Sequence, residues 1–330
     1  MKKLLLFLFP AMICLESAAQ HFQFTQFYAA PMHLNPAFTG DNVCSRVSTS
    51  YRDQWPSVTG KFVTYAVSYD TYLNTVNSGF GFMVMNDRSG SGNLQALSVS
   101  GLYSYEVTLT KYWFARAGLQ ASYVARSINI NNLLFGDQIA RGGNVTTIET
   151  APEIRSYFDV STGALVYSQK YWFGFAAHHI TSPDQALTTN GESGLPTEFS
   201  VHMGGKFPLD NMAPFKSTVF ITPAFHYKAQ HKFDQVDIGF YYTNKPLVLG
   251  LWYRGIPGFK AYVPGYANND AISALIGLTI ERLKVGYSYD LTISRLVNRT
   301  GGSHEISLGY EFCKLKKKKK KPILISCPKF

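Results

Sequence analysis

The feature that most limits how this chain can fold is an alternation of apolar and small polar residues, repeated in segment after segment. Residues 283–292 read LKVGYSYDLT, residues 305–312 read EISLGYEF, and residues 112–124 read YWFARAGLQASYV. Side chains in a strand point alternately to the two faces of a sheet. Each segment therefore predicts a strand with one apolar face and one small, polar face.

Fourteen segments of this kind follow one another along the chain. They cover residues 43–55, 61–73, 78–89, 93–108, 111–128, 155–169, 171–181, 197–208, 216–230, 233–243, 246–256, 270–281, 283–293 and 303–312. Single-chain outer-membrane barrels have an even number of strands, because both chain ends then lie on one side of the membrane. The count agrees with that requirement.

The connections between these segments differ in length in a regular way. After even-numbered strands they are mostly short, and after odd-numbered strands several are long, namely 129–154, 182–196, 257–269 and 294–302. Short turns on one rim and long loops on the other are typical of a transmembrane β-barrel with periplasmic termini. A secreted β-sandwich or propeller would also alternate, but it has no reason to sort its loops in this way.

The membrane explains why the sheet should close. Beyond the N-terminal segment, no stretch approaches the length of apolar sequence that a spanning helix needs. Hydrocarbon offers no partner to a free backbone group, so a spanning sheet must have no edges. We expect an all-β fold, a transmembrane antiparallel β-barrel of about 14 strands formed by residues 43–312, with both termini in the periplasm. Candidates for its interfacial aromatic girdles are Tyr51, Trp55, Tyr112, Trp113, Tyr171, Trp172, Trp252 and Tyr253.

The first residues have the three-part pattern of a cleavable export signal. Lys2 and Lys3 precede an apolar run over residues 4–15, and small residues follow up to Ala19. The apolar run is too short to span a bilayer. We expect a signal peptide over residues 1–19, cleaved after Ala19.

The next segment, residues 20–42, is rich in aromatic residues but interrupted by Pro31 and Pro36. It can form neither a long helix nor a regular strand, and its apolar side chains require burial. Asn35 and Pro36 predict a turn, and Gly40 permits the backbone to reverse into the first strand. We expect this segment to fold against or into the periplasmic mouth of the barrel and narrow it. The alternative is a lid that only stabilises the barrel.

The excess of positive charge lies at the end of the chain. The formal net charge is +10, but residues 313–330 contain eight lysines and no acidic residue. A nucleic-acid surface would carry its basic residues on the folded domain, so no nucleic-acid partner is expected. We interpret residues 313–330 as a basic periplasmic tail. Its lysines either attract anionic outer-membrane lipid or an acidic protein surface, or only keep the tail solvated.

Three cysteines remain after the signal: Cys44, Cys313 and Cys327. The first and last strands of a closed barrel are neighbours, so a disulfide from Cys44 to Cys313 is feasible, and so is one from Cys44 to Cys327 that holds the tail. Arg52 is expected to point into the lumen and to pair with a carboxylate such as Asp290 or Glu311.

Motifs for catalysis, phosphate binding and metal binding are absent from the sequence. His178 and His179 are adjacent, so on a strand they should face opposite sides. His226, His231, Asp234 and Asp237 fit no standard metal-binding spacing and are interpreted as a solvated hairpin. We therefore expect no catalytic residue, no metal site and no cofactor, and the chain is not interpreted as an enzyme.

Three short motifs carry a resemblance to a known family. They are Asn35-Pro36-Ala37 with Gly40, Tyr51-Arg52 with Gln54-Trp55, and the terminal Cys327-Pro328-Lys329-Phe330. Together with the export signal and the alternating strands, they make the whole chain resemble the PorP/SprF family of the type IX secretion system of Bacteroidetes. The motif residues Asn35, Pro36, Gly40, Tyr51, Arg52, Gln54, Trp55, Cys327, Pro328 and Phe330 are the candidates for partner binding.

The resemblance implies a non-enzymatic outer-membrane component needed for secretion or surface attachment of large cargo proteins, such as gliding adhesins. Those partners carry C-terminal sorting domains, and other members of the family are linked to periplasmic lipoproteins. The alternative is an outer-membrane diffusion channel or small-solute transporter, for which fourteen strands are wide enough. Apolar side chains expected to point inward at Leu165, Phe220 and Tyr241 favour the closed form.

Overall fold

The fold is taken from a computed structural model, which describes residues 22–42, 44–143, 154–187, 193–210, 217–256, 268–297 and 299–312, apart from the side chain of Asn132. Its strands are β1 (Ser45–Gln54), β2 (Phe62–Leu73), β3 (Ser78–Ser89), β4 (Leu94–Thr108), β5 (Phe114–Ser127), β6 (Arg155–Tyr167), β7 (Tyr171–His178), β8 (Glu198–Gly205), β9 (Phe207–Pro208), β10 (Val219–Gln230), β11 (Phe233–Asn244), β12 (Leu247–Ile256), β13 (Asn268–Ile280), β14 (Leu283–Thr292) and β15 (Ser303–Phe312).

The sheet closes on itself between its first and last strands. β1 pairs antiparallel with β15 along its whole length, from Ser45 opposite Phe312 to Gln54 opposite Ser303. Every long strand is paired on both sides and antiparallel to its neighbours. The fourteen long strands thus form the closed barrel that the alternation predicts, and such a sheet leaves no edge to hydrocarbon.

One expected strand is interrupted. The segment predicted over residues 197–208 is divided into β8 and the two-residue β9 at Lys206. The register against β10 is the same on both sides of the break, with Gly204 opposite Ala224 and Phe207 opposite Ile221. The ladder lapses opposite Pro223, which has no backbone N–H to donate.

The two faces of the barrel differ as the alternation predicts. In β2, Tyr65, Val67 and Tyr69 are exposed on the outer face, whereas Ala66 and Asp70 are buried on the inner face. The same alternation runs through β14, where Tyr287 and Leu291 are exposed and Ser288 and Asp290 are buried. The outer face is an apolar belt suited to lipid, and the inner face is polar and tightly packed.

The two rims carry connections of different kinds. We call the rim where β1 begins and β15 ends the terminal rim, and the opposite one the loop rim. The terminal-rim connections are residues 74–77, 109–113, 168–170, 206–218, 245–246 and 281–282, and the loop-rim connections are 55–61, 90–93, 128–154, 179–197, 231–232, 257–267 and 293–302. The expected asymmetry holds, apart from the long terminal-rim connection 206–218 and the short loop-rim connections 90–93 and 231–232.

The aromatic residues at strand ends do not all face outward. Tyr51, Tyr112, Trp113 and Tyr171 are exposed, as a girdle requires. The prediction is wrong for Trp172 and Trp252, which are 2% and 4% exposed and lie in the lumen. Trp172 follows the outward-facing Tyr171, and consecutive residues of a strand cannot share a face.

No helix within the described ranges has the length and apolar character needed to cross a membrane.

Candidate functional site

Residues 22–42 lie inside the barrel, and we call them the plug. They form a helical turn, α1 (Pro31–Leu34), and a 3₁₀ turn (Pro36–Phe38). Both turns begin with a proline, at a position where the backbone N–H would have no partner within the helix. The Asn35 side chain caps the second turn by accepting a hydrogen bond from Ala37 N. The prolines that exclude a long helix therefore set two short turns.

The first part of the plug is held by carboxylates of the barrel wall. Glu305 on β15 accepts the backbone N–H of Thr25 at 2.6 Å and that of Gln26 at 2.9 Å through its two oxygens. The Thr25 hydroxyl donates to Asp290 at 2.6 Å. Hydrogen bonds to a charged acceptor are about twice as strong as neutral ones. The plug thus donates hydrogen bonds to two buried acids.

Two arginines of the wall neutralise these acids. Arg52 pairs with Asp290 at 2.8 Å and with Glu305 at 3.2 Å. Arg254 pairs with Asp237 at 2.8 Å and reaches Asp290 at 3.3 Å. Buried charges persist only when they are paired and hydrogen-bonded. The expected lumenal position of Arg52 and its pairing with Asp290 are confirmed.

The expected alternative partner of Arg52, Glu311, is not its partner in the structure. Glu311 lies on the same strand as Glu305 but pairs with Lys284. Arg52 lies opposite Glu305 in the β1–β15 register, and Arg46 lies opposite Glu311. The register of the closing strands therefore selects Glu305 as the acid that meets both Arg52 and the plug.

The middle of the plug is anchored by Asn35. Its amide nitrogen donates to Ala164 O at 3.2 Å and to Phe175 O at 3.1 Å, and lies 3.1 Å from His202 Nε2. The backbone approaches the wall closely here. A Cβ on Gly163 would lie 1.9 Å from Asn35 Oδ1, and one on Gly118 would lie 2.3 Å from Ala37 N. Glycine at both positions makes room for the plug.

The end of the plug is tied to the terminal rim. Gly40, with a φ of 66°, reverses the chain toward β1 as predicted, and its N–H donates to Asp70 Oδ2 at 2.9 Å. Asp70 in turn pairs with Arg46 at 2.9 Å, and Arg46 reaches Asp41 at 2.7 Å. The turn and the ionic contacts together hold the join between plug and barrel.

Aromatic packing fills the space between these anchors. Phe27 meets the Trp252 ring edge-on with 4.8 Å between centroids, and Tyr28 meets Trp172 in the same way at 5.7 Å. The Trp172 ring N–H donates to the Tyr28 hydroxyl at 3.2 Å. Leu165, Phe220 and Tyr241 point inward as expected. This part of the lumen is thus packed as a core rather than left open.

The plug reaches further than the mouth at which it was expected. Thr25 contacts Arg52, Asp290 and Arg254, which lie in the loop-rim halves of β1, β14 and β12. Phe22 lies near Trp55, at the end of β1. The plug therefore traverses the lumen from the loop-rim half to the terminal rim.

A cavity of about 450 Å³ remains between the plug and the loop-rim halves of β1 to β7. Phe22 and His33 form its plug side, and the two rings stack with 5.3 Å between centroids. Burial first, and then the neighbouring His178, lower the pKa of His33 to about 3, so this ring is neutral at pH 7. Arg126, Tyr157 and Gln120 are among the polar residues of the opposite wall.

The other motif residues lie near the loop rim. Tyr51 faces outward, and Gln54 accepts a hydrogen bond from Arg52 Nε at 3.3 Å. Trp55 leaves the strand with a φ of 59°, packs edge-on against Phe62 and lines the cavity with Gln54. The structure thus brings together Arg52, Gln54 and Trp55 near the start of the plug, and leaves Tyr51 on the outer face.

Of the three cysteines in the disulfide prediction, Cys44 is the one that lies among the described residues. Cys44 is disulfide-bonded. Cys313, Cys327, Pro328 and Phe330 lie outside the described residues. Every other cysteine of the chain lies there too, so the choice between Cys313 and Cys327 stays a prediction.

Two expectations about histidines are wrong. His179 has a φ of 58°, which ends the alternation after His178, and both rings are buried inside, with His179 Nδ1 2.7 Å from Asp159. His226 and Asp237 are not solvated; they are buried, with Nδ1 and Oδ2 3.3 Å apart. Within the described part of the chain, no group of His, Cys, Asp and Glu could hold a metal ion.

Sequence reasoning missed Thr25, Gln26, Glu305 and Asp70, and the glycines at 118 and 163. Charged residues on the small, polar face of a strand were the available signal, because an acid in a lumen needs a partner. The strand pattern places Glu305 and Asp70 on that face, but it does not show which segment meets them.

The profile of the type IX secretion system membrane protein PorP/SprF family matches residues 16–310. No curated protein matches. The family description is that of a secretion-system membrane protein and names no enzymatic activity.

Among solved structures, the chain is similar to outer-membrane barrels. The Ralstonia pickettii toluene transporter TbuX is 11% identical, with 86% of this chain and 94% of that chain covered and a TM-score of 0.49. The P. putida toluene transporter TodX is 11% identical, with 84% and 92% covered and a TM-score of 0.49. The Acinetobacter baumannii outer membrane protein Omp33 is 8% identical, with 83% and 100% covered and a TM-score of 0.41.

Proposed function

Because the chain belongs to the PorP/SprF family of type IX secretion system membrane proteins, we propose that it is a closed outer-membrane barrel that holds large cargo proteins at the cell surface by their C-terminal sorting domains. The observation that carries this proposal is the plug. A barrel whose lumen is filled by its own N-terminal segment is suited to binding rather than to conduction.

The contacts along the plug support a permanent closure. The plug is anchored to Glu305 on β15, to Ala164 and Phe175 on β6 and β7, and to Asp70 on β2. These strands lie around the circumference of the barrel. A segment tied at separate points to the wall is held more firmly than one tied at a single end, because each anchor opposes the release of the others.

The asymmetry of the rims supports an orientation in the membrane. We place the terminal rim, with the plug's join to β1, in the periplasm and the loop rim outside the cell, as outer-membrane barrels do with their short turns and long loops. Cargo then docks on the loop rim, and the basic tail over residues 313–330 is available in the periplasm to lipoprotein components of the system or to anionic lipid.

Affinity capture tests the cargo assignment. The tagged protein is cross-linked in intact cells, purified from outer membranes, and its partners are identified by mass spectrometry. A large multidomain surface protein cross-linked through its C-terminal domain to the loop rim is expected. Recovery of the barrel without any such protein would refute the proposal. Two variants test the periplasmic partners: one lacks residues 314–330, and the other carries glutamine at every tail lysine. A partner that is lost from both variants is bound through the charge of the tail.

The diffusion channel remains the alternative, and the plug argues against it. Single-channel recording in planar bilayers separates the two. The intact protein should show no steady conductance, whereas a variant lacking residues 21–36 should conduct, because the segment that fills the lumen is removed. Steady conductance of the intact protein would favour the channel.

A further inference from the structure

We propose that the cavity between the plug and the loop-rim halves of β1 to β7 binds the free carboxyl end of a polypeptide, with Arg126 holding the carboxylate. This inference rests on the proposed function, since it names the part of a cargo protein that the cavity would take. The cavity, of about 450 Å³, is large enough for a short peptide end and not for a folded domain.

The charge on the wall is the first argument. Arg126 lines the cavity, and within the described chain its guanidinium has one hydrogen-bond partner, the carbonyl of Gln185 at 3.2 Å, and no ion pair. Other half-buried or buried arginines of the lumen, such as Arg52 and Arg254, each hold a carboxylate. The guanidinium fork matches a carboxylate, which it binds through two parallel hydrogen bonds. Among the described residues, Arg126 therefore has no carboxylate within ion-pair distance, and the nearest acid, Asp87, attracts it only from further away.

The two acids that line the same cavity do not form an ion pair with Arg126. Asp87 and Asp159 also line the cavity. Asp87 accepts a hydrogen bond from the Thr64 hydroxyl, and Asp159 is engaged by His179 and Thr181. Neither lies within ion-pair distance of Arg126 in the described structure. Each acid is engaged by another side chain and makes no hydrogen bond to Arg126, which leaves donors of the guanidinium available for a ligand.

A second donor lies beside Arg126. Tyr157 on β6 is directly opposite Val124 on β5, so it is the diagonal neighbour of Arg126 on the same inner face. Its hydroxyl makes no hydrogen bond within the described residues and faces the cavity. An arginine fork with an adjacent phenol can donate to both oxygens of one carboxylate, which fixes its orientation.

The rest of the lining fits a peptide better than a fatty acid. Phe22, Met85 and Val124 offer apolar contacts. Gln120 adds a buried side-chain oxygen that has no hydrogen-bond partner, which a peptide N–H can satisfy. An acyl chain would leave that oxygen buried without a partner. The presence of both apolar and hydrogen-bonding groups in the lining favours a chain with amides.

The test measures binding of a defined probe to the purified full-length barrel in detergent. The probe is the tetrapeptide N-acetyl-Gly-Val-Leu-Val with a free C-terminal carboxylate, compared with the same peptide as its C-terminal amide and with decanoate. We expect the acid to bind at least tenfold more tightly than the amide. We also expect Arg126→Gln to reduce binding of the acid at least tenfold, and Arg126→Lys to reduce it less.

Arg88→Gln is the matched control, because Arg88 lies near the same rim at the end of β3 but is exposed and does not line the cavity. It should leave binding unchanged. Resistance of the folded barrel to detergent denaturation at room temperature shows that each variant has folded. Equal binding of acid and amide, no effect of Arg126→Gln, or tighter binding of decanoate than of the peptide would each overturn the inference.

The cargo experiment keeps this inference separate from the proposed function. If Arg126→Gln captures as much cargo from cells as the unaltered protein, the carboxylate site is wrong and the proposed function stands. If the unaltered protein captures no cargo, the proposed function is wrong, and the peptide measurements alone decide what the cavity binds.

Discussion

Replacing Glu305 by glutamine should loosen the first part of the plug without opening the barrel. Glu305 accepts two backbone N–H groups of the plug, from Thr25 at 2.6 Å and Gln26 at 2.9 Å, and pairs with Arg52 at 3.2 Å. Glutamine has the same shape, but it has no charge and offers one accepting oxygen where the carboxylate has two. One plug N–H then faces an amide NH₂ and loses its acceptor.

The magnitude follows from the contacts that remain. A hydrogen bond to a charged group contributes about 1.5–3 kcal/mol, and the change removes one such bond and weakens the other. Arg52 keeps Asp290 at 2.8 Å, so it is not left without a partner, and the larger penalty of an orphaned buried charge does not apply. A loss of about 3 kcal/mol corresponds to roughly a hundredfold increase in the locally open population.

Hydrogen exchange measured by mass spectrometry checks this directly. Peptides covering residues 22–30 should exchange roughly a hundredfold faster in Glu305→Gln. Peptides covering residues 35–42 should change little, since Asn35 and Gly40 are anchored to other strands.

Glu311→Gln is the matched control, because Glu311 lies on the same strand and also pairs with a cation, Lys284, but makes no hydrogen bond or ion pair with the described residues of the plug. Its plug should exchange as in the unaltered protein. If Glu305→Gln left residues 22–30 as protected as before, or if both variants accelerated exchange equally, the view of Glu305 as an anchor of the plug would be refuted.

Three further predictions concern the fit and the protonation of the plug and the disulfide of Cys44. Gly118→Ala should destabilise the plug by about 1–3 kcal/mol, because a Cβ would lie 2.3 Å from Ala37 N. Gly101→Ala should not, because a Cβ at Gly101 would meet open space. Hydrogen exchange over residues 35–42 measures the difference between the two variants. The pKa of His33 falls on folding from 6.5 to about 3, so its stabilising contribution is complete above pH 6.5 and is lost as the pH falls toward 3. Hydrogen exchange of the plug should therefore depend less on pH in His33→Gln than in the unaltered protein. An unchanged pH dependence would contradict this. Cys44→Ser should release one additional thiol to alkylation under denaturing conditions if its partner belongs to this chain, and no additional thiol would assign the bond to another molecule.

The barrel is the part of this protein that its sequence predicts best. A period of two residues repeated in fourteen segments gives the number, direction and sidedness of the strands, because the alternation of side chains is a property of the strand itself. The pattern failed where a residue departed from it. The strand expected over residues 197–208 is interrupted next to Pro223 of its partner strand, and His179 ends β7 with a positive φ.

The candidate site was predicted in its parts but not in its contacts. Arg52 was placed in the lumen with Asp290, and the turn at Asn35 and Gly40 was expected. Glu305 was missed in favour of Glu311, because both lie on the same face of β15. Only the register of the closing strands distinguishes them, and a shift of two residues leaves the sequence pattern unchanged.

By itself, the sequence determined that the chain forms alternating strands that must close in lipid, and that residues 22–42 carry too much apolar surface to remain exposed. The tertiary structure decided where that surface goes. Glu305, Gly163 and Asp70 come from distant parts of the chain, and each meets a different stretch of the plug. Closure of the barrel brings their side chains and backbone together around one lumen, and complementarity of this kind depends on distances that no local pattern of residues contains.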